Sequence, residues 1–325
     1  MTSLNTPHIG ALGFEPTRVG LGSWAMGGGE WVSAWGAQDD SSSVSTIRHA
    51  VECGVNWIDT AAVYGLGHAE EVVAEALAPY SDADRPRVFT KGGMVWDESD
   101  RTAPSRRMGD ETTLRSQVDA SLRRLGVDAI DVYFMHWPAT AEAVEEYWQT
   151  LVSLRAEGKL RAIGLSNHTV EDLDKAEAIG HIDVIQPPFS AVVPSAARDL
   201  LPWSVAHDTA VVVYSPMGSG LLTGAFSRAR VAALPENDWR RHSPLFTDQL
   251  DANLAVADAM GEIASRRGTT VSAVAVAWTL GFPGVTAAIV GARDPRQVDD
   301  WISAGDLVLT PEEYASVPTE ARPGS

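Results

Sequence analysis

Two patterns of apolar residues alternate along this chain: short runs with few polar interruptions, and longer stretches in which apolar positions recur every third or fourth residue. The first marks strands buried on both faces, the second helices with one buried stripe. Runs at 55–59, 87–91, 129–136, 161–166, 183–186, 210–215 and 286–290 are predicted strands, preceded by one within 17–21. Helical periodicity fills the intervals, from the polar cluster 39–43 to Cys53, then at 68–78, 111–125, 141–157, 170–178, 195–207, 250–267, 271–280 and 295–302. In 111–125, Leu114, Val118, Leu122 and Leu125 fall on one face. The run 9–14 is predicted to form a small hairpin leading into the first strand. Residues 22–36, rich in Gly and Trp, form a predicted loop, and 216–244 is the one long irregular segment, of a length that suits a lid or binding loop.

Counted from Arg18, strand and helix alternate in eight units with no linker or low-complexity break. Eight βα units close naturally into a (β/α)8 TIM barrel, expected here as a single α/β domain over 1–325 with long loops where the strands end. A doubly wound open sheet competes, but that fold usually opens on a Gly-rich phosphate loop, and no G-x-G-x-x-G occurs.

Composition narrows the picture further. The 325 residues are 45% hydrophobic, enough for a sizeable core, and the net charge of −18 argues against a nucleic-acid or anionic-membrane partner. The single cysteine, Cys53, cannot form an internal disulfide or a Cys-based zinc site, which fits a reducing compartment. No basic start followed by an apolar run opens the chain, and no stretch of eighteen apolar residues follows, so the expected location is the cytoplasm.

In a barrel, functional groups gather where strands end. Those positions hold Ser23 and Trp24, Asp59, Lys91, His136, Ser166 with Asn167, Gln186, Tyr214 with Ser215, and Arg293. Singly, each has an ordinary explanation: Asp59 as a turn cap, Tyr64 as loop packing, Lys91 as a surface lysine, His136 as a core histidine. Together, a phenol, an amine, a carboxylate and an imidazole aimed at one mouth form a candidate site.

The segments 56–65 (NWIDTAAVYG), 90–91 (TK), 135–138 (MHWP), 164–167 (GLSN), 185–188 (IQPP), 214–224 (YSPMGSGLLTG) and 291–295 (GARDP) make the chain resemble the aldo-keto reductases, and most of all bacterial aldehyde reductases akin to general-stress and inositol-linked members. The resemblance runs in family order across nearly the whole chain. It implies an oxidoreductase that reduces aldehydes or ketones with NADP(H), NAD(H) being possible, and takes a small-molecule carbonyl substrate.

On this resemblance Tyr64 is the acid that protonates the carbonyl oxygen, Lys91 lowers its pKa, Asp59 holds Lys91, and His136 contacts the substrate oxygen or relays the proton. Ser166, Asn167 and Gln186 are expected on the nicotinamide carboxamide and Tyr214 against its ring. Ser215, Met217, Gly218, Ser219, Gly220 and Leu222 are expected over the pyrophosphate, and Arg293, Gln297 and Asp300 at the adenosine end. Gly22, Ser23 and Trp24 join the cofactor contacts, as does Gly291, where many members carry Lys; with Trp301 in place of an Asn, this implies a weaker preference for NADPH over NADH. Trp24, Trp31, Trp96, Trp137 and Phe189 are candidate substrate-pocket walls. No metal is implied, and the chain is expected as a monomer or a homo-oligomer. Two other readings remain: a Schiff-base lyase with Lys91 as nucleophile, and a nicotinamide-binding regulatory subunit with little turnover.

Overall fold

The apolar runs lie side by side in the computed structural model, which describes residues 13–29, 31–236 and 238–323. Strands β1 (Val19–Gly22), β2 (Trp57–Asp59) and β3 (Arg87–Gly92) come first, and a small antiparallel hairpin, β4 (Met94–Val95) with β5 (Arg106–Arg107), follows outside the barrel. Strands β6 (Ile130–Met135), β7 (Leu160–Ser166), β8 (Val184–Gln186), β9 (Ala210–Tyr214) and β10 (Ala287–Gly291) complete the set. The eight barrel strands pair in sequence order and are all parallel, and β10 closes on β1 with Gly22 opposite Gly291. The expected hairpin strand 9–14 lies mostly outside the described residues.

Helices α1 (Asp40–Glu52), α2 (His68–Leu77), α3 (Glu111–Leu125), α4 (Val144–Ala156), α5 (Val170–Glu177) and α6 (Leu200–Ala206) surround the barrel. Their starts follow capping chemistry: Asp39 accepts from the Ser42 N–H, Asp110 from the Thr113 N–H, and Thr169 forms a capping box with Asp172. After a short α7 (Arg228–Ala232) come α8 (Leu250–Arg267) and α9 (Val271–Leu280), the latter buried at all positions but Val271, as its almost unbroken apolar sequence requires. Helices α10 (Pro295–Asp299) and α11 (Pro311–Ser316) end the chain; α11 and the β4–β5 hairpin are additions to the sequence reading.

Two elements differ from the sequence reading, the first for a local reason. The helix expected over 195–207 splits into a 3-10 turn, Ser195–Ala197, and α6. Pro202 lacks an N–H and its ring clashes with the carbonyl four residues back, so the helix restarts late enough to place it in the first turn. The segment 216–244 is less irregular than expected, holding α7 and the 3-10 turns Gly218–Thr223 and Trp239–His242.

Strand pleating decides what faces the barrel axis, because side chains alternate with a period of two. Trp57, Phe89, Val132, Phe134, Ala162, Val184, Ala210, Val212, Ala287 and Ile289 form one buried cluster inside the barrel. Trp57 stacks on Phe89 at 4.8 Å, and a Cβ on Gly20 would meet the Trp57 ring at 2.2 Å, so glycine is what lets the indole fill that layer. Two residues further along the strands, or four beyond Ala162 in β7, the same inward register carries Asp59, Lys91, His136, Ser166, Gln186, Tyr214 and Gly291. The layer above the apolar plug is therefore polar. Among the described residues no helix is long and apolar enough to cross a membrane.

Candidate active site

At the centre of that polar layer Lys91 Nζ donates to Asp59 Oδ1 at 2.5 Å and to the Thr60 carbonyl at 2.8 Å. Gln186 Nε2 donates to the other Asp59 oxygen at 2.9 Å. Both charges are buried, with Lys91 1% and Asp59 3% exposed. Burial raises the Asp59 pKa and lowers that of Lys91, while their mutual attraction and the Gln186 bond pull each back towards its charged form.

Tyr64 hangs over this pair. The residues after it, Gly65, Leu66 and Gly67, all take positive φ, at 61°, 58° and 104°. A Cβ on Gly65 would lie 2.1 Å from the Gly27 carbonyl oxygen, so glycine alone permits the contact that ties the Tyr64 turn to the loop after β1. The Lys91 ammonium is 5.1 Å from the Tyr64 ring centre. Burial, followed by the negative charge of Asp59 and by Tyr214, pushes the phenol well above 10. The net direction is opposite to the expected lowering by Lys91, because burial and the Asp59 charge outweigh the ammonium 5.1 Å from the ring centre.

His136 meets the Tyr64 ring edge-on, with centroids 5.7 Å apart at 78°. Burial, then Lys91, then Arg107 hold its pKa well below 6.5, so the imidazole is neutral. Its Nδ1 is buried without a hydrogen-bond partner among the described residues. Asn167, in the left-handed region at φ 65°, donates from Nδ2 to the His136 carbonyl at 2.9 Å and to Ser166 Oγ at 3.0 Å. Its Oδ1 accepts from the Tyr214 hydroxyl at 2.7 Å, and Ser166 Oγ donates to the Gln186 carbonyl at 2.9 Å.

A cavity of about 960 Å³ opens on these groups and runs to Arg293, Gln297 and Asp300. Gly22, Trp24, Asp59, Tyr64, His136, Ser166, Asn167, Gln186, Tyr214, Ser215, Met217, Ser219, Gly220 and Gly291 also line it, whereas Ser23, Lys91, Gly218 and Leu222 lie behind its wall. Positive φ at Gly218, Ser219 and Gly220 (56°, 57° and 95°) curls that backbone. Arg293 donates from Nε to Gln38 Oε1 at 2.9 Å and from Nη2 to the Ala37 carbonyl at 2.5 Å, and its N–H bonds Gln297 Oε1 at 2.8 Å. Gln38 and Ala37 precede α1, so the guanidinium is oriented from across β1.

Trp24, Trp31 and Trp137 line the cavity as expected. Trp96 and Phe189 do not: Trp96 packs on the Trp31–Val63 cluster, and Phe189 is fully buried against Trp278 and Phe282, because the chain after β8 turns under the helices. The sequence reading missed Trp35, Phe226, Arg230 and Arg240, which also line it. Trp239 stacks on Trp24 at 6.1 Å and 17°, as Tyr64 does at 6.1 Å and 19°, and Arg240 lies 5.0 Å over the Trp35 ring. The long segment thus reaches across to the Trp-rich loop. Its length pointed to a lid, but nothing local says which of its side chains cross.

A family model described as the aldo/keto reductase family matches residues 18–319. The chain is 32% identical over 313 residues to the aldo-keto reductase YhdN of Bacillus subtilis, covering 96% of this chain and 92% of that protein. It is also 32% identical over 319 residues to the NADH-specific methylglyoxal reductase of Escherichia coli, covering 93% and 94%. Among solved structures it resembles a glycerol dehydrogenase from Gluconobacter oxydans, with a TM-score of 0.88, 36% identity and 97% and 94% of the two chains covered. An aldo-keto reductase from Klebsiella pneumoniae in complex with NADPH gives a TM-score of 0.70 at 27% identity, over 95% and 93%. With this match along nearly its whole length, on a closed eight-stranded barrel with a polar mouth, the chain belongs to the aldo/keto reductase family and is an NAD(P)H-dependent oxidoreductase of carbonyl compounds.

Proposed function

We propose that this protein reduces small aldehydes or ketones, sugars among them, to alcohols with NADPH as the preferred reductant and Tyr64 as the proton donor. The observation that carries the reading is the inward polar layer, in which a protonated phenol and a neutral imidazole face one cavity over a buried Lys91–Asp59 pair.

The cavity fits a dinucleotide by the order of its donors. Near Tyr64, Asn167 Oδ1 keeps a second lone pair and Gln186 a second amide N–H, which suit a carboxamide. Tyr214 offers a ring face, Ser219 and Gly220 of the left-handed turn line the stretch where a pyrophosphate would pass, and Arg293 ends the row with a planar cation suited to a 2′-phosphate. Gly291 is exposed and adds no second cation, so preference over NADH rests on Arg293. The Klebsiella pneumoniae relative in complex with NADPH and the Escherichia coli relative named NADH-specific lend support to either reductant within this family.

The nicotinamide, when bound, supplies hydride to the carbonyl carbon. The chain's own groups handle the oxygen. Tyr64 holds its proton at all physiological pH values and gives it up as negative charge develops, since an alkoxide is a stronger base than a phenolate. Neutral His136 donates a hydrogen bond to the same oxygen. The Asp59–Lys91 pair fixes the ammonium beside the ring, where it stabilises the phenolate left after transfer, and solvent then reprotonates Tyr64. Lys91, engaged by Asp59 and the Thr60 carbonyl, is unsuited to Schiff-base formation.

The test is a spectrophotometric assay of NADPH and NADH oxidation across a carbonyl and sugar panel. Turnover with aldehydes, favouring NADPH, supports the reading; tight NADPH binding with no turnover on any member of the panel contradicts it.

A further inference from the structure

Away from the barrel mouth, helices α1 and α10 pack together and bring three side chains of different chemistry to one point. His49 lies in the last turn of α1, Cys53 is the C-cap residue four positions on, and Asp299 is the last residue of α10. His49 Nε2 is 2.7 Å from Asp299 Oδ1 and 3.7 Å from Cys53 Sγ. One ligand atom from each of the three lies within 4.8 Å of the other two. We propose that His49, Cys53 and Asp299 bind a divalent transition-metal ion of the zinc class, through an imidazole nitrogen, a thiolate and a carboxylate oxygen, with water in the fourth position.

The donor set is what a borderline-soft, tetrahedral ion takes. Metal–ligand bonds to nitrogen, oxygen and sulfur place ligand atoms roughly 3.3–3.7 Å apart around a tetrahedral centre. The imidazole–sulfur spacing of 3.7 Å already meets that; the imidazole–carboxylate contact of 2.7 Å must open, and the carboxylate starts within 4.8 Å of the sulfur. It can, because the Asp299 side chain is 60% exposed and His49 30%, which leaves the carboxylate free to swing and the ion a path from solvent. An ordinary His–Asp ion pair explains the 2.7 Å contact but gives no part to the sulfur. The sequence reading spoke against a zinc site built on cysteine alone; a mixed set was out of its reach, since Asp299 comes 250 positions after His49.

The site is separate from the reduction chemistry, but its position is informative. The segment just before α10 carries Arg293, whose guanidinium is held by residues just before α1. An ion shared by α1 and α10 fastens together the two elements between which that arginine is held. The whole chain carries −18, a balance that favours a divalent cation.

The experiment is a Co²⁺ titration of the metal-free full chain, followed by the thiolate-to-cobalt charge-transfer absorption. Cys53 is the only cysteine, so that band reports this site and not a carboxylate–imidazole pair such as His68 with Asp40. A band saturating at a single equivalent, absent in Cys53→Ser, is the expected result. Zn²⁺ affinity by calorimetry should fall on the order of ten-fold or more in His49→Asn and Asp299→Asn. Melting curves of the metal-free variants check that each one folds, independently of any reductase activity. No band in the parent chain, or a band and affinity that survive His49→Asn and Asp299→Asn unchanged, would overturn the proposal.

Discussion

Lys91 and Asp59 form a 2.5 Å ion pair with both side chains almost fully withdrawn from water, and the same ammonium lies 5.1 Å from the centre of the Tyr64 ring. A buried pair of this kind is poor evidence for stability, since desolvation offsets much of the attraction. Its place in the inward layer, beneath the phenol and beside Gln186, is better explained by the chemistry that the ring performs.

Removing one member should expose that cost. Asp59→Asn leaves the ammonium buried and unpaired, and the expected loss is about 3–5 kcal/mol of unfolding free energy in a urea titration. The double variant Asp59→Asn/Lys91→Met should recover much of that stability without recovering turnover. Equal loss in the single and double variants would mean that the pair has no special energetic coupling.

Arg293 is expected to separate the two reductants. Arg293→Ala removes a charge-assisted contact of about 1.5–3 kcal/mol, so the NADPH dissociation constant should rise by on the order of ten- to a hundred-fold while that of NADH changes little. Fluorescence titration with both nucleotides measures this. Equal weakening of both would assign Arg293 to holding the loop through Gln38 and Ala37 and not to the phosphate.

His168 gives a pH dependence with a definite sign. It is buried behind Ser166, its Nδ1 bonds the Ser166 carbonyl at 2.8 Å, and the Tyr147 hydroxyl bonds its Nε2 at 2.7 Å. Burial brings its pKa down to about 4 from 6.5. Below pH 6.5 the unfolded chain takes up a proton that the native state refuses, so this contribution is complete above 6.5 and is lost as pH falls towards 4. The loss is about 3 kcal/mol for one such group. His136 is shifted in the same direction. Denaturant midpoints against pH should therefore drop on acidification, and His168→Gln, less stable at neutral pH, should show a flatter profile between 6.5 and 4. Parallel profiles would remove His168 as the cause.

The barrel was legible because each strand's apolar run and each helix's period agree locally with the fold, and because capping residues such as Asp110 and Thr169 mark helix starts. The catalytic cluster was legible for a related reason: Asp59, Lys91, His136, Ser166 and Gln186 stand at strand ends an even number of residues beyond inward apolar positions, so pleating alone aims them together. Two kinds of information were not. Lateral reach, as in Trp239 over Trp24 or the retreat of Phe189 into the helices, depends on loop paths that no spacing encodes. The Tyr64 pKa depends on how deeply the ring is buried and on how near the Asp59 charge lies, which only the packing shows. The Pro202 break could have been read, since proline tolerates only the first turn.

The central claim, that the residue 64 hydroxyl delivers the proton, is tested most directly by Tyr64→Phe with NADPH turnover and NADPH affinity measured on the same preparation. The account expects kcat to fall by on the order of 10²–10⁴-fold, with the dissociation constant changed by no more than about two-fold. A phenylalanine variant that keeps most of the parent turnover would contradict it.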